Sequence, residues 1–184
     1  MTVTVTPATG TAVAPLTDGE KAEFARLKIQ ATQLNWYLVG VILLSLGASA
    51  WLGIYGPALK DAPWWGIALA IVTGTLGSGV AAIQSAQQRR ANGWEFSNSR
   101  KYPTEEPKDK FNAGMVPMFY TRPLLGSAVG AAFYFGSTIV FGFTAPAEGN
   151  LGKLAFWSFV VGVLAKTFLE TLKDLFKKLR KSAQ

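Results

Sequence analysis

Residues 64–90 read WWGIALAIVTGTLGSGVAAIQSAQQRR, an uncharged run that stops at two arginines. Gly66, Ala70, Gly74, Ser78, Ala82 and Ala86 recur every four positions, and Thr73, Gly77, Ala81 and Ser85 form a neighbouring row. On a helix these are two adjacent ridges with little side chain above the backbone. In water each glycine costs such a helix about 1 kcal/mol relative to alanine. In a bilayer the same ridges let another helix approach closely, and van der Waals contact drives the association. The stretch therefore predicts the most enclosed transmembrane helix of a polytopic membrane protein.

The distribution of charge points the same way. Charged residues make up 16% of the 184-residue chain, against roughly 25% in ordinary soluble domains. Between Lys28 and Lys60 lie 31 uncharged residues, between Asp61 and Arg89 another 27, and between Arg122 and Glu148 another 25. Each run exceeds the roughly 20 residues that cross a hydrocarbon core. The fold class expected is all-α: a four-span helical membrane protein with an N-terminal surface helix and an amphipathic C-terminal extension. The chain lacks cysteine and histidine, which removes thiolate and imidazole metal sites, cysteine nucleophiles and histidine bases. No cofactor, metal site or catalytic residue is expected. The net charge of +7 sits beside apolar spans, so it reads as membrane topology rather than nucleic-acid binding.

Residues 1–15 are an uncharged Thr, Val, Ala and Pro tail, read as disordered. Thr17 and Glu20 form a capping-box pattern that opens a mixed-charge helix over 16–33, lying on the surface or running into the first span. The membrane domain is placed at 34–172, with spans near 35–55, 64–86, 123–144 and 151–171 and a loop at 87–122. Trp36, Tyr37, Trp51 and Tyr55 mark the two ends of the first span as an interfacial belt. The middle of the long loop reads as exposed and irregular, and its end, 111–120, as aromatic residues in the headgroup layer. Thr121-Arg122-Pro123 suits a helix start, since proline is favoured in the first turn. The third span repeats the small-residue device with Gly126 and Gly130 and with Ala128, Ala132 and Gly136, and the fourth carries Ser158 and Gly162.

Only 12 residues separate Lys153 from Lys166, about 20 Å of helix, so one lysine has to snorkel or be sheltered. Glu170 stands one turn beyond Lys166, and the two form a candidate ion pair or gate. Residues 173–184 continue as a basic helix suited to anionic lipid. Of 18 basic residues, 16 fall on one side of this topology and 2 on the other. The positive-inside rule then places both termini and the long loop in the cytoplasm of a bacterial inner membrane.

The run RPLLGSAVGAA at 122–132, followed by a last span that turns amphipathic, resembles uncharacterised bacterial four-helix inner-membrane proteins. The resemblance covers the last third of the chain and implies no activity or site residue. The packing set expected is Gly66, Ala70, Gly74, Ser78, Ala82, Gly126, Gly130 and Gly162. Two non-enzymatic roles follow: an oligomeric pore or scaffold built on these ridges, or an accessory subunit anchoring a larger membrane complex. Membrane lipid and a homo-oligomer or larger assembly are the expected partners. The middles of the first three spans carry no ionisable group, which disfavours an ion-coupled carrier.

Overall fold

A computed structural model describes residues 15–56, 64–103, 109–141 and 151–167. It is mostly helical: α1 (Asp18–Tyr55), α2 (Trp65–Asn92), α3 (Val116–Phe141) and α4 (Leu151–Val163), with a two-stranded hairpin, β1 (Trp94–Glu95) and β2 (Lys101–Tyr102). Two of the helices, α1 and α2, are long and apolar enough to cross a membrane.

The capping box opens α1: Glu20 N–H donates to Thr17 Oγ1 at 3.4 Å, and Thr17 N–H donates to Glu20 Oε2 at 2.9 Å. Nothing interrupts the helix for 38 residues, about 57 Å, so the expected surface helix and first span are one element. Its outward face changes character along its length. Lys21, Arg26, Lys28, Thr32 and Gln33 are exposed in the first half, and Leu43, Leu44, Leu46 and Ile54 in the second.

The second helix extends six residues beyond 86, the expected end of the span, and stops at Gly93, whose φ of 114° is open only to glycine. A Cβ there would also run into the Tyr102 carbonyl and stand 3.1 Å from Lys110 Nζ. Lys110 is fully buried and donates from Nζ to the Asn92 carbonyl at 2.8 Å. A cation at that position offsets the negative end of the helix.

The stretch at 87–122 differs most from its sequence reading. β1 and β2 pair antiparallel, with Trp94 opposite Tyr102, and Trp94 bridges Phe111 in parallel. Phe111 N–H donates to the Gly93 carbonyl and Glu95 N–H to the Phe111 carbonyl, both at 3.0 Å. Asn112 Oδ1 accepts from Met115 N–H and caps a 3-10 turn, Ala113–Met115, that leads directly into α3. Pro123 consequently lies inside α3 rather than at its start, and Thr121, expected as a cap, donates its hydroxyl to the Met118 carbonyl. Phe111 and Phe119, read as headgroup aromatics, have no exposed surface.

These aromatics complete a core with Leu27, Ala31, Leu34 and Leu38 of α1, Ala82 and Ala86 of α2, and Trp94 and Phe96. Phe24 meets the Trp94 and Tyr102 rings edge-on at 5.4 and 6.0 Å. Carboxylates of α1 fasten the hairpin from outside: Glu20 accepts from Arg100 at 2.7 Å and Asn98 at 3.1 Å, and Glu23 from Ser97 N–H and Oγ at 2.8 and 2.6 Å. The Thr17 backbone N–H, then Asn98 and Arg100, hold the Glu20 carboxyl down to about 2, from an ordinary 4.5, against the opposing effect of burial. The first half of α1 and the hairpin thus form a folded cap on one end of the helices.

Candidate functional site

Above the cap, α2 runs between the other three helices, and the close approaches fall on its glycines. A Cβ built on Gly74 would lie 2.5 Å from the Gly126 carbonyl oxygen and 3.1 Å from Gly130 Cα. Cβ atoms on Gly126 and Gly162 would each strike the Gly74 carbonyl, so both α3 and α4 close on this one residue. Gly130 sits against the Ala70 carbonyl, Gly66 against the Tyr134 ring, and Gly77 of the second ridge against the Phe159 carbonyl. Ser78 donates its hydroxyl to the Arg122 carbonyl at 2.6 Å, and Thr75 and Ser127 hydroxyls meet at 2.6 Å. Ala82 faces the cap core. The glycines of both α2 ridges are therefore occupied by its own neighbours, while Ala81 and Ser85 of the second ridge line a groove.

The third helix divides its small residues between two faces, which their shared spacing of four cannot reveal. Gly126 and Gly130 pack inward, whereas Ala128 and Ala132 are exposed and Gly136 has nothing within 4 Å of a built Cβ. Ser158 is fully buried beside Gly162 on α4.

A groove of about 440 Å³ opens between α2, α3 and the end of α4. Ser78 and Ser85 form one wall, Arg122 and Leu125 the second, and Val163, Lys166 and Thr167 the third. Arg122 is 7% exposed, with its guanidinium 4.9 Å from the Phe119 ring centroid. A cation over an aromatic face is held by the ring quadrupole. Among the described residues no carboxylate lines the groove. Sequence reasoning singled out Lys166 here but passed over Arg122, which it used only as a boundary. Lys166 is exposed at the mouth, and Glu170, its expected partner, lies outside the described residues.

On α3, Tyr120 stands between the groove-lining Met118 and Arg122. The rings of Tyr37 of α1 and Tyr120 of α3 meet at 4.7 Å with their planes tilted by 51°, and Tyr37 Oη donates to the Tyr120 carbonyl at 3.2 Å. The last turns of α1 carry the exposed Trp51 and Tyr55, with exposed Trp64 just before α2. Trp36 and Tyr55 are 19 residues apart, about 28 Å of helix, close to the thickness of a hydrocarbon core.

Among the described residues no group of three His, Cys, Asp or Glu side chains could hold a metal ion. Among the described residues the groove sets Arg122 and Lys166 beside serine and threonine hydroxyls and apolar walls. Compared with known protein families, curated proteins and solved structures, the chain matches none.

Proposed function

We propose that the protein is a non-enzymatic four-span protein of a bacterial inner membrane, with both termini and the cap in the cytoplasm, acting as an accessory or anchoring subunit of a larger membrane complex. The observation that carries this reading is the occupation of the α2 ridge glycines within the chain: Gly74 against Gly126 and Gly162, and Gly77 against Phe159. The ridges had suggested assembly of identical copies, and that demand is met internally.

The membrane part rests on what the helices expose. Only 17% of the most apolar 18-residue stretch of α1 is buried, whereas a core helix of a soluble protein is mostly enclosed. Leu43, Leu44, Ile54, Leu124, Phe135 and Phe156 are all more than half exposed and spread over three helices. That apolar band would be an aggregation hazard in water and suits lipid. The same faces lack the polar stripe that a pore lined by several copies would need. The 16-to-2 division of basic residues supports a cytoplasmic cap. There it would hold or orient a partner.

The test is stoichiometry. After cross-linking in native membranes and gentle detergent extraction, the protein is expected once per particle, in fixed ratio with a different chain. Recovery as a closed ring of identical copies would overturn this reading in favour of the oligomeric pore or scaffold.

A further inference from the structure

We propose that the outward face of α1 is the docking seam for a membrane-spanning helix of a different chain, one that carries an acidic residue opposite Arg26 on the cytoplasmic side of its span. The inference rests on the accessory-subunit reading above and names the surface and the chemistry by which the partner is held.

The seam shows first in its spacing. Leu27, Ala31, Leu34, Leu38, Ser45 and Leu52 are buried and turn one face of α1 to the rest of the bundle. Away from them a second row runs in unbroken steps of four and three. Ala22, Arg26, Ile29 and Gln33 carry it along the cap, and Trp36, Gly40, Leu43, Gly47, Ala50 and Ile54 along the membrane half. Gly40 is partly buried and the rest of the row is exposed. Alternation of four and three is the repeat that keeps the seam of one helix facing another. Lipid alone does not account for it. Ile29 stands one heptad to the cytoplasmic side of Trp36, beyond the interfacial belt, and is 60% exposed there. A Cβ built on Gly40 or Gly47 meets nothing within 4 Å, so these glycines weaken the helix without serving a neighbour in this chain, unlike Gly74 and Gly77 of α2. Between Trp36, Leu43 and Ile54 they leave the holes into which a facing helix places its bulk. Area and charge then define the occupant. Along the 38 residues of α1, one helix in contact over a width of about 10 Å would bury roughly 1,200 Å² counting both surfaces, the size at which specific interfaces begin. Glu20 and Glu23 are turned to the hairpin and Asp18 is bridged by Lys21 at 2.8 Å, while Arg26 and Lys28 are exposed on the outer side. Two copies of this chain share one topology, so their α1 helices would meet in parallel and set Arg26 against Arg26. Like charges there oppose a second copy, and an acidic residue on another helix fits.

The test uses the full chain in its native membranes. A photo-reactive side chain is placed at Leu43 on the seam or at Phe156, exposed on α4, and the adducts are mapped by mass spectrometry. At Leu43 the expected adduct is one membrane-spanning segment of another chain, with an Asp or Glu about 17 residues to the cytoplasmic side, the separation of Arg26 and Leu43. Phe156 is expected to yield lipid. Arg26→Glu and Gly47→Leu should each weaken recovery of that partner about tenfold or more, the size of losing one well-placed interface contact. Gly47→Leu enters open space and favours the helix, so the thermal midpoint of the isolated chain should hold while the partner is lost, a split that a purely structural role would not give. Lipid adducts alone at Leu43, adducts to a second copy, the same segment captured equally at Phe156, or full partner recovery in both variants would overturn the seam. Each of these leaves the accessory-subunit reading standing if the chain is still found once per particle beside another protein; a closed ring of identical copies would refute that reading itself.

Discussion

Gly74→Leu is expected to cost about 3 kcal/mol or more, the upper end for overpacking, because the new side chain has no direction in which to yield. A Cβ alone at Gly74 would press on Gly126 O at 2.5 Å and on Gly130 N at 3.3 Å, while the Gly74 carbonyl already receives Gly126 and Gly162. All of these neighbours are backbone, which cannot rotate aside as a side chain would. Leucine adds three further carbons, so α3 or α4 must separate from α2, taking the Ser78–Arg122 and Thr75–Ser127 bonds with it. Gly136→Leu is the matched control, since nothing lies within 4 Å of a Cβ there. Unfolding in a denaturing-detergent titration should separate the two variants widely. Equal stability would mean that the ridges of α2 do not hold the bundle.

The second large effect belongs to the cap. Phe111 has no exposed surface and meets the Trp94 ring at 5.5 Å and the Phe119 ring, nearly parallel, at 6.5 Å. Phe111→Ala removes the ring from the middle of that stack, and a buried phenylalanine truncated to alanine costs about 3–5 kcal/mol. The backbone bonds of Phe111 to Gly93 and Glu95 also hold its segment to the hairpin, so the loss should be local and cooperative. Limited proteolysis is the readout: rapid cutting between 92 and 116 in the variant, with the helices beyond left intact. Unchanged resistance in that stretch would contradict a packed cap.

The contrast between these two regions explains what the sequence could disclose. Helices announce themselves locally. The Thr17–Glu20 box and the run of small residues from Gly66 to Ala86 each act within a few residues, and each was legible. The cap is built from contacts between distant parts of the chain. Phe24 meets Trp94 across 70 positions and Trp94 in turn meets Phe111, and strands of two residues leave no period to detect. The start of α3 was misplaced for a related reason. Pro123 is a good first-turn residue by local rules, yet Asn112 and the 3-10 turn had already begun the chain's helical course, and Arg122 and Pro123 are buried where α3 packs on α2. Arg122, read at the start of the span, lies inside α3 and lines the groove.

The most direct measurement exploits the absence of cysteine, which makes every introduced thiol unique. Leu44→Cys lies on the outward face of α1, Ser99→Cys in the exposed turn of the cap, and Asp61→Cys in the first connection. With a membrane-impermeant maleimide on intact spheroplasts, the account predicts labelling at Asp61→Cys only. Ser99→Cys should react after the membrane is permeabilised, and Leu44→Cys only after detergent denaturation. Ready labelling of Leu44→Cys without detergent, or of Ser99→Cys from outside, would contradict a membrane-embedded bundle with a cytoplasmic cap.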